Sequence, residues 1–233
     1  MTLLVVVAVE AERDAVVRDL GAAEPIEIAG RHGVRVETPA GPLHAFAAGV
    51  GPVAAALTTA SLLTASPRYN LVASAGIAGG FRGRVETGTI VVADRATFAD
   101  LGVRADDGFL TLHDMGLRQD STHAVASHEL VRRLSLGPLR VAHGEILTLA
   151  CMTGTEADAD QLASRHPHAL AEAMEGFGVV AAVMAQPHVP SYVTEIRAIS
   201  NLIGRRDRST WEIPRALDAL ASAFATLVKE PLP

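Results

Sequence analysis

Three side chains of this sequence have the chemistry to act on one small polar ligand. Glu12 follows the first apolar segment, Glu175 stands next to Met174 in an apolar stretch, and Asn201 ends the string Arg197-Ala-Ile-Ser-Asn201. A carboxylate can bind ribose hydroxyls or take a proton from water, and an amide can donate and accept hydrogen bonds on one edge of a 6-oxopurine. An unpaired charge in an apolar stretch is costly, so Glu175 needs hydroxyl or cationic partners.

The same residues also have ordinary structural interpretations. Glu10 and Glu12 follow the first predicted strand, at the end where ligands bind in open α/β sheets. Acidic residues are equally favoured in the first turn of a helix by the helix dipole. A mid-chain Glu or a strand-end Asn is commonly a solvated or capping residue, so only the combination favours a ligand site.

Two glycine-rich segments follow predicted strands. Gly49-Val-Gly51 precedes a predicted helix, as in a dinucleotide-binding turn, but Pro52 removes one amide donor and Ala54 occupies the third glycine position. A tight strand-to-helix turn is the favoured interpretation. Gly76-Ile-Ala-Gly79-Gly80 would let a ligand approach the backbone closely, or would simply form a turn.

The elements that position these residues follow from hydrophobic periodicity. Predicted strands are Leu3–Val9, Leu71–Ser74, Thr89–Ala93, Leu139–Thr148 and Tyr192–Ser200, with a hairpin formed by Gly33–Thr38 and Leu43–Ala47. Predicted helices are Glu12–Leu20, Val53–Leu63, Ala124–Leu134, Glu156–Arg165, Gly178–Met184 and Ile213–Val228. Residues 94–121 are expected to be irregular, with a turn at Asp106-Asp-Gly108. The alternation predicts an α/β fold, a single domain over residues 1–233 with a twisted mixed β-sheet sandwiched by helices.

Composition narrows the possible partners. The formal net charge of −6 provides no basic stripe for a phosphate backbone, so nucleic acid is not expected as a partner. No apolar run approaches the ~20 residues of a membrane span, and the apolar start lacks a basic leader, so neither a membrane nor export is expected. We expect a cytoplasmic protein with a small-molecule nucleoside substrate.

Cysteine and histidine usage bears on cofactors. Cys151 is the only cysteine, which suits a reducing compartment, and a small buried hydrophobe is the favoured interpretation over a nucleophile. Neither His123/His128 nor His166/His168 has the spacing of a zinc-hydrolase helix. No metal and no organic cofactor are expected.

Taken together, these segments make the chain resemble the nucleoside phosphorylase and hydrolase family, in its methylthioadenosine nucleosidase-like branch. The resemblance covers nearly the whole length and includes the glycine turns, Ala173-Met-Glu175 and the string that ends at Asn201. Within that branch the chain looks most like the futalosine hydrolases of the menaquinone pathway, through Ala99-Asp-Leu-Gly102, Thr153-Gly-Thr155 and the segment from Ile199 to Trp211.

The resemblance implies a role for each candidate residue. Glu12 corresponds to the water-activating acid, Glu175 to the glutamate that binds ribose and stabilises the ribosyl cation, and Asn201 to the residue that binds the base. The other substrate-binding positions that it implies are Met174, Gly79, Met152, Arg206, Arg208 and Phe98. It also implies a homodimer or a higher homo-oligomer.

The chain departs from the adenine-releasing branch mainly at Asn201, where the resemblance implies that those enzymes have Asp. An Asp accepts from the 6-amino group of adenine and can supply a proton toward N7, whereas an amide donates to O6 and accepts from N7–H. Asn201 therefore predicts hypoxanthine as the leaving base. A base with a mismatched polar edge is strongly rejected, because buried polar groups of the site then stay unpaired.

The expected reaction is hydrolysis at C1′ of the ribosyl ring. Departure of the base leaves an oxocarbenium-like ring, which a nearby carboxylate stabilises, while Glu12 takes a proton from the attacking water. We expect burial and the neighbouring anions Glu10 and Glu175 to raise the pKa of Glu12.

Other activities stay open at this stage. Phosphorolysis would need amide donors and arginines near C1′, where carboxylates are expected instead, so water is the favoured nucleophile. A methylthioadenosine or adenosylhomocysteine nucleosidase is disfavoured by Asn201. A non-catalytic nucleoside-binding protein would not need both Glu12 and Glu175.

The 5′ side of futalosine carries an aryl carboxylate. Arg205, Arg206 or Arg208 can bind it as a bidentate partner, or this segment is a solvated basic loop with Asp207 as its counter-ion. Trp211 and Phe98 are candidates to flank the aryl ring, although a core or subunit contact explains each equally well.

Overall fold

The computed structural model describes residues 2–65, 69–106, 108–117, 122–125, 128–187, 190 and 192–231. The strands in this part of the chain are β1 (Leu3–Val7), β2 (Ala23–Ile28), β3 (Arg31–Val36), β4 (Leu43–Ala47), β5 (Leu71–Gly80), β6 (Ile90–Phe98), β7 (Gly102–Ala105), β8 (Gly108–Thr111), β9 (Thr122–Ala124), β10 (Val141–Thr148), β11 (Ala169–Ala173) and β12 (Tyr192–Leu202). The helices are α1 (Glu10–Val17), α2 (Pro52–Ala65), α3 (His128–Leu134), α4 (Glu156–Arg165), α5 (Gly176–Met184) and α6 (Ile213–Leu227), with a 3-10 turn at Arg208–Thr210.

A ten-stranded mixed sheet forms the centre of the molecule. Its order is β11-β10-β6-β12-β5-β1-β4-β3-β2, and β9 pairs with β6. The strand β1 runs parallel to both β4 and β5, and β12 runs parallel to β5 but antiparallel to β6. All five residues of β1 are buried, which explains why its sequence is continuously apolar instead of alternating.

Helices cover both faces of this sheet. Val5 and its alternate neighbours in β1 pack in a cluster with α1, α3 and α6, whereas Leu4 and Val6 pack with α2 and α5. Successive strand residues point to opposite faces, so the two clusters lie on opposite sides of the sheet. The predicted α/β class with a sandwiched mixed sheet is confirmed.

Several predicted elements differ from the structure. The first strand ends at Val7 and α1 begins at Glu10, while β5 continues through the glycine segment to Gly80 instead of turning there. The helix predicted from Ala124 begins at His128, and Ala124 itself belongs to β9. Residues 126 and 127 of that prediction lie outside the described residues.

The prediction of an irregular segment over residues 94–121 is wrong for its first half. There β6 extends to Phe98, and β7 pairs antiparallel with β8 in a separate two-stranded sheet. The hairpin reverses at the predicted turn, where Gly108 has a φ of 139° that L side chains rarely adopt. Residues 107 and 118–121 lie outside the described part of the chain.

The strand β5 brings the candidate site together. In the β5–β12 pairing Arg197 lies opposite Gly76 and Asn201 lies opposite Gly79. The same Gly79 lies opposite Glu172 of β11, which pairs with the end of β5 on its other side. In the part of the chain that the structure describes, no helix has both the length and the apolar character needed to cross a membrane.

Candidate active site

Arg197 is the fully buried centre of the site. Its Nε donates to Oε1 of Glu195 at 2.9 Å, its Nη2 donates to Oγ of Ser74 at 3.0 Å, and the same Nη2 lies 3.3 Å from Oε2 of Glu175. A buried guanidinium is stable only when its charge and N–H groups are satisfied, and carboxylates do this well. Arg197 is therefore the cationic partner that the apolar surroundings of Glu175 require.

Glu12 is fixed by backbone amides at the carboxyl end of the central strands. Its Oε2 accepts from the N–H groups of Ala8 and Val9 at 3.0 and 3.2 Å, and its Oε1 accepts from the N–H of Ile77 at 2.8 Å. Its side chain is buried although it belongs to the first turn of α1. Glu12 thus lies in the first turn of a helix, as the structural interpretation of the sequence expected. Its carboxylate, however, is directed toward the ends of the strands instead of into solvent.

Burial above all raises the pKa of Glu12, and the anion of Glu175 raises it further. The guanidinium of Arg197 and the N–H groups of Ile77 and Val9 act in the opposite direction. The expected contribution of Glu10 is not found, because Glu10 is exposed and pairs with Arg13 at 3.7 Å. A carboxyl with a raised pKa is a better proton acceptor, as a general base requires.

Gly76 allows Glu12 and Arg197 to approach the backbone of β5. A Cβ at this position would collide with the carboxylate of Glu12 and the guanidinium of Arg197. The glycine segment therefore acts within the strand and not as a turn, and it provides the close approach that the sequence suggested.

Glu175 precedes α5 and links the helix to the glycine turn before α2. Its Oε1 accepts from the N–H of Gly51 at 3.0 Å. This amide would face an incoming phosphate in a dinucleotide or phosphate site, but here it is occupied by a carboxylate of the same chain. The Gly51 amide is therefore not available to a dinucleotide phosphate, and the negative charge of Glu175 would repel one.

The charges around Arg197 sum to a negative site. The carboxyl groups of Glu12, Glu175 and Glu195 surround one guanidinium, and each of them acts to raise the pKa of Arg197. Burial raises the pKa of Glu195 as well. An electron-poor ribosyl ring is favoured in such surroundings, because a low-dielectric site strengthens its attraction to fixed anions.

Asn201 lies at the end of β12. Oγ of Ser200 lies 2.9 Å from Oδ1 of Asn201 and 3.2 Å from the carbonyl of Ala78, so its single proton is divided between two acceptors, and Nδ2 donates to the carbonyl of Leu202 at 3.4 Å. With this orientation of the amide, Nδ2 has a second N–H and Oδ1 a second lone pair to offer to a ligand. This is the arrangement needed to meet O6 and N7–H of a 6-oxopurine.

The segment from Cys151 to Gly154 is tied to β11, because the N–H and the hydroxyl of Thr153 donate to the carboxyl group of Glu172. Oδ2 of Asp100 accepts from the N–H groups of Ala150 and Cys151 at 2.9 and 3.0 Å. Met152 is 36% exposed. Cys151 is exposed, so its prediction as a buried hydrophobe is wrong; the segment lies at the surface because Asp100 holds its backbone there.

The other predicted substrate-binding residues lie on several elements. Met174 is half-buried between β11 and α5, and Gly79 is buried in β5. Phe98 is partly buried and packs on Phe177, with ring centroids 5.5 Å apart.

Arg206 and Arg208 are exposed and lie over the ring of Trp211, at 5.3 and 5.9 Å from its centroid. The N–H of Arg206 donates to the carbonyl of Gly154 at 3.1 Å, so this loop lies beside the segment that carries Met152. The carboxylate of Asp207 accepts from the N–H and the hydroxyl of Ser209. Asp207 therefore caps the 3-10 turn, while the two guanidinium groups stack on the indole.

Sequence reasoning assigned no role to Arg197, Glu195 or Glu172. The signal for the first two is present, because Glu195-Ile-Arg197 places two charges on one face of an otherwise apolar strand. Charges at buried strand positions must pair. Their partners come from other strands, so the pairing itself follows only from the fold.

Comparison with known proteins agrees with this fold. The family model described as the phosphorylase superfamily matches residues 2–232. The chain belongs to this superfamily. Its curated relatives then narrow the group to the futalosine hydrolases, as the sequence resemblance predicted.

Two of these relatives are similar over most of their length. A futalosine hydrolase of Streptomyces coelicolor is 46% identical over 232 residues, which cover 97% of this chain and 95% of the relative. A futalosine hydrolase of Thermus thermophilus is 33% identical and covers 78% of this chain and 79% of its own.

Solved structures support the fold. A 5′-methylthioadenosine/S-adenosylhomocysteine nucleosidase of Neisseria meningitidis matches with a TM-score of 0.81 at 18% identity, over 98% of both chains. The corresponding nucleosidase of Colwellia psychrerythraea, solved with adenine, matches with a TM-score of 0.80 at 23% identity, over 100% of this chain and 98% of the other.

Proposed function

We propose that this protein hydrolyses the N-ribosidic bond of futalosine, releasing hypoxanthine and dehypoxanthine futalosine, as a step of menaquinone biosynthesis. The observation that carries this proposal is the pairing of a carboxylate site around Arg197 with a neutral amide, Asn201, at the purine end. The 46% identity to relatives named futalosine hydrolase supports the same substrate.

Glu12 is the general base of this reaction. Water bound beside its carboxylate gives up a proton to Glu12 as its oxygen bonds to C1′, and the bond between C1′ and the purine nitrogen breaks. Three backbone N–H groups hold the carboxylate in one orientation, from Ala8, Val9 and Ile77. A base held in this way needs no rearrangement during the reaction.

Glu175 binds the ribose hydroxyls and stabilises the ribosyl cation. Its two oxygens are held by the N–H of Gly51 and by Nη2 of Arg197, so the carboxylate keeps one position as charge develops on the sugar. Arg197 is thus a positioning residue that also supplies a cationic partner to Glu175.

Asn201 stabilises the departing base. Its Nδ2 donates to O6 and its Oδ1 accepts from N7–H, an orientation that the contact with Ser200 favours. The purine takes the N7 proton from solvent water as the C1′–N9 bond breaks, so hypoxanthine leaves as a neutral molecule, and Glu12 then returns its proton to solvent. Met152, Met174 and Gly79 form the surroundings of the base in this proposal.

Water is favoured over phosphate as the nucleophile. The Gly51 amide is occupied by Glu175, and Arg197 is occupied by Glu195, Ser74 and Glu175. A phosphate dianion would meet the carboxylates of Glu12 and Glu175, and among the described residues the one cation that the structure shows beside them, Arg197, is already paired; this arrangement costs Coulomb energy in a buried site.

The basic loop provides the site for the 5′ aryl carboxylate. Arg206 or Arg208 binds the carboxylate as a bidentate partner, and Trp211 and Phe98 flank the aryl ring. A guanidinium group that lies over an indole ring can still present its N–H edge to an anion.

The protein is further proposed to form a homodimer or higher homo-oligomer in the cytoplasm. Val50, Val53 and Leu57 are 59%, 71% and 60% exposed around the start of α2, beside the Gly51 turn. An exposed apolar patch of this kind is typical of a subunit contact. Sedimentation equilibrium tests the assembly, and a monomer at micromolar concentration would contradict it.

The activity is tested by incubating the protein with futalosine, inosine and methylthioadenosine in phosphate-free buffer and identifying the purines released. We expect hypoxanthine from futalosine without added phosphate, and little or no adenine from methylthioadenosine. Release that requires phosphate, or adenine as the main product, would contradict the proposal. Unchanged substrate after prolonged incubation would instead support a binding protein.

A further inference from the structure

Glu172 is a buried carboxyl group that the mechanism above does not use. It lies in β11 and is 1% exposed. Its Oε1 accepts from the N–H of Thr153 at 3.1 Å, and its Oε2 accepts from the hydroxyl of Thr153 at 2.5 Å. These two bonds use one lone pair on each oxygen and fix the plane of the group, so that each oxygen keeps acceptor capacity.

Glu172 and Asn201 stand next to each other over Gly79. Both lie opposite Gly79 in their strand pairings, one from each side of β5. A Cβ built on Gly79 would lie 2.7 Å from Cγ2 of Ile203, 3.4 Å from Cγ of Glu172 and 3.6 Å from Nδ2 of Asn201. The side chains of Asn201 and Glu172 therefore approach the same residue of β5 from its two neighbouring strands, next to Ile203.

The edge of a 6-oxopurine presents two neighbouring polar groups beyond N7. The O6 oxygen accepts a hydrogen bond, and the adjacent N1–H donates one; in adenine the 6-amino group donates and N1 accepts. If Nδ2 of Asn201 donates to O6, the group next to Asn201 must accept from N1–H. An ionised carboxylate has only acceptors, so it fits hypoxanthine and opposes adenine.

We propose that Glu172 is a specificity-determining residue that accepts a hydrogen bond from N1–H of the hypoxanthine base. This inference rests on the proposed function, since it assigns a second contact to the same leaving base. Adenine would direct the lone pair of its N1 at a buried carboxylate, and a buried mismatch of this kind is strongly discriminated against. Asn201 and Glu172 together then read three atoms of the purine: N7, O6 and N1.

Burial is the main cause that raises the pKa of Glu172, and the hydrogen bonds from Thr153 act in the opposite direction. A cationic or N–H partner that arrives with the base would favour the ionised form further. A bound 6-oxopurine supplies that N–H, which is consistent with the geometry above.

The competing role of Glu172 is to anchor the segment around Thr153. The test measures inhibition constants of hypoxanthine and adenine for the wild type, Glu172→Gln and Thr153→Val. Glu172→Gln replaces one acceptor oxygen by a donor NH2 at nearly constant volume. Thr153→Val removes the hydroxyl anchor and leaves the carboxylate in place.

We expect Glu172→Gln to weaken hypoxanthine binding by about 10- to 100-fold, the usual size of a hydrogen bond to a charged group, with adenine unchanged or bound more tightly. Thr153→Val should change both inhibition constants by the same factor. Equal losses of both bases in Glu172→Gln would overturn the inference and leave Glu172 as an anchor.

A measurement on the wild type covers the case in which Glu172→Gln does not fold. The base 1-methylhypoxanthine keeps O6 and N7 but lacks N1–H, so it should inhibit at least 10-fold more weakly than hypoxanthine. Equal inhibition by the two bases would overturn the inference. Failure of the proposed function would appear separately, as a wild type that releases no hypoxanthine from futalosine.

Discussion

Nη2 of Arg197 lies 3.3 Å from Oε2 of Glu175, and both side chains are buried. The pair connects the interior of β12 to the start of α5, so the carboxylate proposed to bind ribose is held by a fully buried cation. Removing the cation would leave Glu175 and Glu195 as buried charges without compensation.

Arg197→Met should therefore destabilise the protein. Truncating one partner of a buried ion pair typically costs about 3–5 kcal/mol, and we expect a loss of free energy of unfolding in that range by urea denaturation. Arg215→Met is the matched control, because Arg215 is exposed and pairs with Glu212 within one helical turn; it should cost at most about 1 kcal/mol. Equal losses in the two variants would contradict the central place of Arg197.

Glu12→Gln should lose most of its activity and keep its fold. The amide cannot take the proton from water, and general-base catalysis typically contributes about 10²- to 10⁴-fold, so kcat for futalosine should fall by a factor in that range. Binding of hypoxanthine should change little, since Glu12 does not contact the base. A variant with full activity would exclude Glu12 as the base.

As the pH is lowered, the wild type should begin to lose activity at a higher pH than an enzyme whose general base is an ordinary glutamate. Glu12 must be ionised to act, and burial raises its pKa above 4.5, the ordinary value of a glutamate. As pH falls through this raised pKa the base is protonated and kcat falls, so the acid limb should lie above pH 4.5. A pH-rate profile checks this, and the residual activity of Glu12→Gln should lack the limb. A flat profile through the acid range would exclude this titration.

Removal of charge from the basic loop should affect substrates according to their 5′ group. Arg206→Gln and Arg208→Gln are compared on futalosine and inosine, and at least one should raise KM for futalosine about tenfold with little change for inosine. Arg215→Gln, an exposed arginine of α6, provides the control. Equal changes for both substrates would assign the loop to the solvated surface.

The sequence predicted which residues carry the chemistry of this site better than it predicted which residues pair with them in the fold. Glu12, Glu175 and Asn201 stand out because carboxylate and amide groups are unusual where they occur. The sequence did not reveal the role of Arg197, because its partners Ser74 in β5 and Glu175 before α5 are distant in sequence.

The missed strands have physical reasons as well. The strand β11 has the sequence Ala169-Leu-Ala-Glu-Ala173, which lacks β-branched residues and therefore does not resemble a strand. The strand β2 contains Pro25 and exposed glutamates and is tolerated because it lies at the edge of the sheet. Both form only because a neighbouring strand supplies their hydrogen bonds.

The most direct measurement is the ratio of kcat/KM for inosine over adenosine in the wild type and in Asn201→Asp. The account predicts that the wild type prefers inosine and that the carboxylate, which accepts from a 6-amino group, lowers this ratio by at least tenfold. An unchanged ratio would contradict the claim that the carboxamide of Asn201 determines which base is recognised. The proposed preference for futalosine over adenine nucleosides depends on that claim.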